Sequence, residues 1–350
     1  MTAKKRWALF GACLACFVVV AFYRMTPTTA ANAAQPADQG AEHSSRSDHI
    51  VDAPTMKKET PELEFFQQIA DSYASDLKIP PYSRSLSEHD FDVLHPNHFY
   101  PKALPAGKRG DRVQLALNKY RFVCPEPVVV EVSGEGIEFA EAILVDRDSD
   151  AVLQSAPMAL NAGRHIATFS GRCDFPRNLS VVGKVRMASG RPYEIPAILE
   201  YQLHNPATVT GIGSTWADGA DMVVEAVLEV QRAGHFLLSA NLFDAAGAPV
   251  AHLSQSADLD VGSNTIQLRG HQSVLQGRGS SFSLANLNLK RYPSAPSDRR
   301  SYGVSMVDRH VIDYFDVDIL EPIAHQPAPD QLARLEFLKK ITGSNIEKDP

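Results

Sequence analysis

The stretch from Met222 to Arg291 constrains this chain most. It reads as a train of β-strands joined by tight turns: MVVEAVLEV, GHFLLSANLFDAAGAPVAHLS, SNTIQLRG and SFSLANLNLKR. Met222, Val224, Ala226, Leu228 and Val230 alternate with Glu225 and Glu229, so one face of the first strand is apolar and the other meets water. Phe236, Leu238, Ala240 and Leu242 repeat the pattern, and Ala246-Gly247 supplies the positive-φ step of a hairpin return to Pro249-Val250. Between Leu284 and Leu287 the apolar phase slips by one residue, which predicts a β-bulge at Ala285-Asn286. Short amphipathic strands of this kind are stable only when a second sheet covers their apolar face.

A second β pattern precedes this one. It opens at Val113, Leu115 and Leu117 and continues through Val128–Val132, Ala142–Asp146, His165–Phe169, Leu179–Met187 and Ile195–Leu203. About seven short strands with turn signals every ten residues or so predict an immunoglobulin-like sandwich. The expected fold is therefore all-β: two tandem immunoglobulin-like β-sandwiches, residues 111–205 and 206–321, divided at Asn205-Pro206, with short flanking helices. The second sandwich is expected to end in a strand through Phe315, Val317 and Ile319, and the polar run from Pro293 to His310 to be a surface loop.

The N-terminal side reads differently. Lys4, Lys5 and Arg6 precede the uncharged run Trp7–Tyr23, which as a helix would span roughly 26 Å. Residues 1–24 are expected to be a signal anchor or signal peptide. A retained anchor, a cleaved signal and lipidation at Cys13 or Cys16 all stay open on these residues. With the anchor retained, the protein is expected to be single-pass in the inner membrane, with the bulk of the chain in the periplasm. Residues 25–59 are rich in Thr, Ala, Gln and Ser and read as a disordered linker. Residues 60–110 begin with a helix capped by Thr60 and stopped by Pro80-Pro81, followed by an arm of aromatics and prolines expected to pack on the first sandwich. Residues 322–350 form a tail with a short helix, expected to be capped by Asp330 and stopped by Gly343.

The run NLFDAAGAPVAH, with the later SNTIQLRG and SFSLANLNLKR, resembles the C-terminal module of exported bacterial proteins of unknown function built from tandem immunoglobulin-like domains. The resemblance covers roughly Gly211 to Tyr292. It implies a binding or scaffolding role in the cell envelope and brings no catalytic residues with it.

Composition and motifs narrow the function classes. The net charge of −7 leaves no global basic field for a phosphate backbone, so nucleic acid is not an expected partner. Cys124 and Cys173, about fifty residues apart outside the cytoplasm, are expected to form a disulfide. Asp146, Asp148 and Asp150 have the D-x-D-x-D spacing of a calcium loop, but Ala151 and Pro157 stand where an EF-hand needs Gly and Glu, so they are weak metal candidates and a solvated turn is the competing reading. His95 and His98, with Glu88, His89 and Asp90 nearby, lack a third regularly spaced zinc ligand. The chain carries no G-x-S-x-G, H-E-x-x-H, P-loop or G-x-G-x-x-G motif, so no catalytic residue and no cofactor are expected. Trp216, expected on a loop beside Asp218 and Asp221, is a candidate binding residue that could stack on a sugar ring, with domain packing the competing role. The function expected from these residues is a non-catalytic, membrane-tethered envelope protein that binds or scaffolds a protein partner. The alternative is a carbohydrate-binding or carbohydrate-acting envelope protein.

Overall fold

The computed structural model describes residues 61–106, 112–312 and 314–344. The expected membrane helix and linker lie outside these residues. No described helix is long and apolar enough to cross a membrane.

The described chain is predominantly β, and its strands form four sheets that share two apolar cores. Over the first core, one sheet runs in the order Arg121–Val123, Pro192–Gln202, Asn178–Met187, Ile137–Asp146, Val152–Pro157. Its partner runs Lys102–Pro105, Arg112–Leu117, Val128–Ser133, Arg164–Phe169, Ala159–Asn161. The alternation read from the sequence decides which side chains go inward: Leu179, Val181, Val185 and Met187 are buried while Lys184 and Arg186 face water. Phe122, Phe169 and Tyr201 are the largest side chains wholly enclosed here.

Over the second core, the strands Gly262–His271, Asp221–Val230 and Ala207–Asp218 form one sheet with a short parallel edge at Val304–Ser305. The other sheet is built on Pro249–Leu259, Gly234–Asp244 and Phe282–Arg291. The hairpin forms where Gly247 was expected to turn it, at φ +81°, with the Asp244 carboxylate accepting from the backbone N–H groups of Ala246 and Ala248, both at 2.9 Å. The bulge also falls where the phase slips. Pairing between Gly234–Asp244 and Phe282–Arg291 shifts between Ser239 and Asn241, and Asn286 takes φ +57°.

Four local expectations are corrected. The arm does not pack on the first sandwich alone. Ser83–Ser85 pairs antiparallel with Ala251–Leu253 and so adds an edge strand to the second core's sheet. Leu86 donates its backbone N–H to Val250 and is buried, and Ser83 is fully buried with its Oγ accepting from the His271 backbone N–H at 2.9 Å. Only from Pro96 onward, whose carbonyl accepts from Arg121, does the arm join the first sandwich, where Phe99 and Ala106 are buried and Lys102–Pro105 is already a strand. The reach of the first sandwich therefore begins upstream of residue 111. Residues 317–319 form a 3₁₀ turn rather than a strand, because the Asp316 carboxylate accepts from the Asp318 backbone N–H at 3.1 Å and bends the chain. The final helix starts at Pro329, ahead of Asp330, and runs through Gly343 to Ser344.

The fourth correction concerns Pro293–His310, which holds two short strands, the start of a third at Arg309, and a buried ion-pair centre. The Asp298 carboxylate accepts from Arg291 at 2.8 Å, Arg232 at 2.9 Å, the backbone N–H and hydroxyl of Ser294, and the Arg299 backbone N–H. These donors hold the Asp298 carboxyl far below the usual carboxylate range. Gly303 then passes so close to the neighbouring strand that a Cβ there would meet the Ala207 carbonyl oxygen at 2.4 Å, so only glycine fits.

A depressed carboxylate pKa contributes stability that is present above the unfolded value and lost as pH falls through the folded one. The melting temperatures of the native chain and of Asp298→Asn are expected to differ most from neutral pH down to about pH 4 and to converge below it. Thermal melts across that range check this, and a constant difference at every pH would contradict it.

Candidate functional site

The candidate site is an aromatic shelf where the arm crosses from one sandwich to the other. Asp90 sets up the crossing: its carboxylate accepts from the Ser87 N–H at 2.9 Å and the Ser87 hydroxyl at 2.8 Å, bonds that hold its pKa below the usual range. A helical turn, Phe91–Leu94, follows. On the second sandwich the Asn241 side chain donates to the Val93 carbonyl at 2.8 Å. On the first, Asn97 pairs with Arg121 like one more strand residue, accepting from its N–H at 2.7 Å and donating to its carbonyl at 3.0 Å. Both ends of the turn are thus tied down by side-chain amides.

Beyond Asn97 the extended chain alternates. Phe99 anchors in the first core while His98 and Tyr100 face outward. The ring of Phe91 lies 4.6 Å from His95, 5.0 Å from His98 and 6.1 Å from Tyr100, centroid to centroid, and His98 meets Tyr100 edge-on at 5.1 Å. The Tyr100 hydroxyl donates to Asp92, which pushes its pKa up. Tyr120, Pro196 and Ile198 of the first sandwich, with Lys102, complete an open hollow of about 510 Å³ around His98, Phe99 and Tyr100. Phe91, Tyr100, Tyr120 and Ile198 are all solvent-exposed large apolar side chains. The shelf offers ring faces and edges held by neighbours, with little polar chemistry.

The other sequence-selected residues are placed as follows. His95 and His98 belong to the shelf, their rings 6.4 Å apart, and among the described residues no group of three or more His, Cys, Asp or Glu side chains is arranged to hold a metal ion. Asp146, Asp148 and Asp150 do not converge. Asp146 accepts from the Asp148 N–H and the Ser149 hydroxyl of its own turn, Asp148 accepts from Asn178, and Asp150 takes φ +57°. Cys124 and Cys173 lie at disulfide distance with Cα atoms 5.2 Å apart and are bonded. Trp216 is not on a loop: it sits half-buried within the strand Ala207–Asp218, opposite Val223.

The neighbours of Trp216 form a clamp on the arm. The Tyr82 hydroxyl donates to Asp221 at 3.0 Å, and Arg269 bridges Asp221 at 3.3 Å and Asp218 at 2.7 Å. Burial, followed by the bond to the Asp221 carboxylate, pushes the Tyr82 hydroxyl pKa well above its ordinary value. The pairing of Tyr82 with a residue 139 positions away left no local signal in the sequence. The shelf was equally hidden, since Phe91, Tyr100, Tyr120 and Ile198 come from three separate stretches of chain.

The fold and site together define a multi-sheet β protein with an exposed aromatic surface. No protein-family pattern matches this chain, and no curated protein matches it. Among solved structures it is similar to a DUF4785 family protein from Legionella pneumophila, at 14% identity and a TM-score of 0.39. That likeness covers 52% of this chain and 53% of the Legionella protein. It is also similar to E. coli alpha-2-macroglobulin in its native conformation, at 9% identity and a TM-score of 0.30, over 63% of this chain and 15% of that protein. The IG1+IG2 portion of DIP-gamma matches at 11% identity and a TM-score of 0.22, over 60% of this chain and 98% of that portion.

Proposed function

We propose that this chain is a non-catalytic binding module of the cell envelope: two immunoglobulin-like sandwiches, tethered through residues 1–24, that present the aromatic shelf to a protein partner. The kinship of Gly211–Tyr292 with the C-terminal module of exported bacterial proteins of unknown function is part of this reading, as are the inner-membrane anchor and the periplasmic location. The observation that carries it is the exposure of Tyr100, Tyr120 and Ile198 around one hollow, with the exposed Phe91 ring packed beside it on His98 and Tyr100. Aromatic side chains at the centre of an interface contribute most of its binding energy, and large exposed apolar surface marks docking sites. The amides of Asn97 and Asn241 hold the crossing in place, so little ordering cost remains on binding.

A photo-crosslinking residue at position 120 is expected to capture one partner in intact envelopes, whereas the same residue at Val152, exposed on the far edge strand, is not. Tyr100→Ala combined with Phe91→Ala is expected to lower that yield about tenfold, as loss of a central aromatic pair does. Equal capture at both positions, or yield unaffected by the double substitution, would overturn the reading. Glycan binding lost on the same double substitution would move the shelf to the carbohydrate reading.

A further inference from the structure

A second feature lies at the junction of the two sandwiches. There the strand Pro192–Gln202 leads through Leu203–Pro206 into Ala207–Asp218 and forms one wall of a cleft of about 420 Å³. The linker is held in place: Gln202 Nε2 donates to the carbonyls of His204 at 2.6 Å and Tyr302 at 2.7 Å, while Gln202 Oε1 accepts from the Tyr302 N–H at 2.8 Å. The opposite wall is the turn built on Asp298.

Two observations single this cleft out. Arg177, Arg232 and Arg299 line it against one lining carboxylate, Asp298, in a chain whose overall charge is negative. Asp298 is already saturated, and the salt bridge from Arg177 to Glu200 is half-buried. Arg299 bonds to Asp298 through its backbone alone, and its guanidinium, at the rim, has no partner among the described residues. The second observation is independent of charge. Among the described residues only three buried side-chain polar atoms lack a hydrogen-bond partner, and two of them, Ser301 Oγ and Asn205 Oδ1, belong to residues that line this cleft. Ser301 is more than nine-tenths buried. Leaving such groups unpaired costs free energy, and two of them beside one arginine-lined cleft mark it as a place where a bound polar group would be favoured.

We infer that the junction cleft binds a small polar oxyanion: a phosphate or carboxylate group carried on a molecule that also bears a hydroxyl or amine. The Arg299 guanidinium takes the anionic oxygens, and Arg177 and Arg232, already bonded to Glu200 and Asp298, add their positive charge. A change of rotamer turns the Ser301 hydroxyl from the wall toward the ligand, and the ligand's own donor serves Asn205 Oδ1. Because the walls come from both sandwiches, an occupant also couples their relative position.

The probe is glycerol phosphate, titrated calorimetrically into the full-length protein in detergent, with soluble dihexanoyl phosphatidylglycerol and citrate as parallel arms. Saturable binding tighter than about 1 mM is expected for at least one of the three, weakening as salt is raised. A stronger response to the short-chain lipid identifies a lipid headgroup as the source, a stronger response to glycerol phosphate a free organic phosphate, and a stronger response to citrate a carboxylate. Arg299→Ala is expected to weaken binding at least fivefold. Ser301→Ala should weaken it similarly without lowering the melting temperature of the empty protein, because the hydroxyl it removes is unbonded there. A purely structural serine would give the reverse pattern, lower stability with unchanged affinity. That pattern, or no saturable binding to any of the three probes, would overturn the inference.

Discussion

Replacing Cys124 and Cys173 by serine is expected to destabilise the first sandwich by about 4 kcal/mol and to leave the second unchanged. The bond closes a loop spanning 49 residues, and the chain-entropy cost that such a closure removes from the unfolded state gives roughly that figure. The position of the bond supports a local effect. Cys124 follows the short edge strand Arg121–Val123, and Cys173 lies just past Gly171, where a Cβ would meet the Glu126 and Pro125 carbonyl oxygens at 2.3 and 2.4 Å. Tyr201 closes the same corner, its hydroxyl donating to the Glu126 carbonyl at 3.2 Å. Tyr201 belongs to the first core and Cys124 packs against it. Calorimetry should then show the melting transition of the first sandwich moving down while the second stays in place. A joint shift of both transitions would show that the two cores unfold as one unit, and no shift at all would show that the bond contributes nothing.

The complementary expectation concerns a residue far upstream. Leu86→Ala is expected to cost about 2–5 kcal/mol, the usual range for truncating a buried leucine, and the loss should fall on the second sandwich. By position in the sequence Leu86 precedes the first sandwich. Its backbone nonetheless bonds to Val250, directly after the Ser83–Ser85 edge strand that pairs with Ala251–Leu253. Ser83–Ser85 therefore adds an edge strand to a sheet whose other strands begin more than a hundred residues later. Hydrogen exchange on Leu86→Ala should loosen Pro249–Leu259 and spare Asn178–Met187. The opposite distribution would return the arm to the first sandwich.

These two expectations divide along the line between what was readable and what was not. The Ala246-Gly247 hairpin, the bulge at Asn286, the pairing of Cys124 with Cys173 and the inward faces of the long strands were legible because each rests on local periodicity or on residue types with few alternatives. The 3₁₀ turn at Val317–Ile319 was misread for a physical reason: Phe315, Val317 and Ile319 alternate as a strand does, but the Asp316 side chain competes for the backbone. Pro293–His310 looked like a solvated loop because it is polar. Its polarity instead serves a buried centre, with the Arg291 side chain 3% and the Asp298 side chain 7% exposed. Trp216 is expected on a loop, whereas cross-strand pairing of Trp216 with Val223 and of Ala217 with Met222 keeps it in a strand that continues through two register shifts.

The candidate site was less legible than the fold. His95 and His98 drew attention as possible ligands, yet their role in the shelf depends on Phe91, Tyr120 and Ile198 arriving from elsewhere. The junction cleft has no sequence signature at all, since Arg177, Asn205, Arg232 and Ser301 share no spacing. By itself the sequence determined the β character of the chain, the alternation of its faces, its hairpins and its cysteine pair, because these follow from side-chain period and backbone preference within a few residues. Tertiary structure alone decided where the arm docks, which polar residues are buried together and which aromatics share a surface. Those outcomes depend on hydrogen bonds between residues as many as 188 positions apart, and no local preference encodes them.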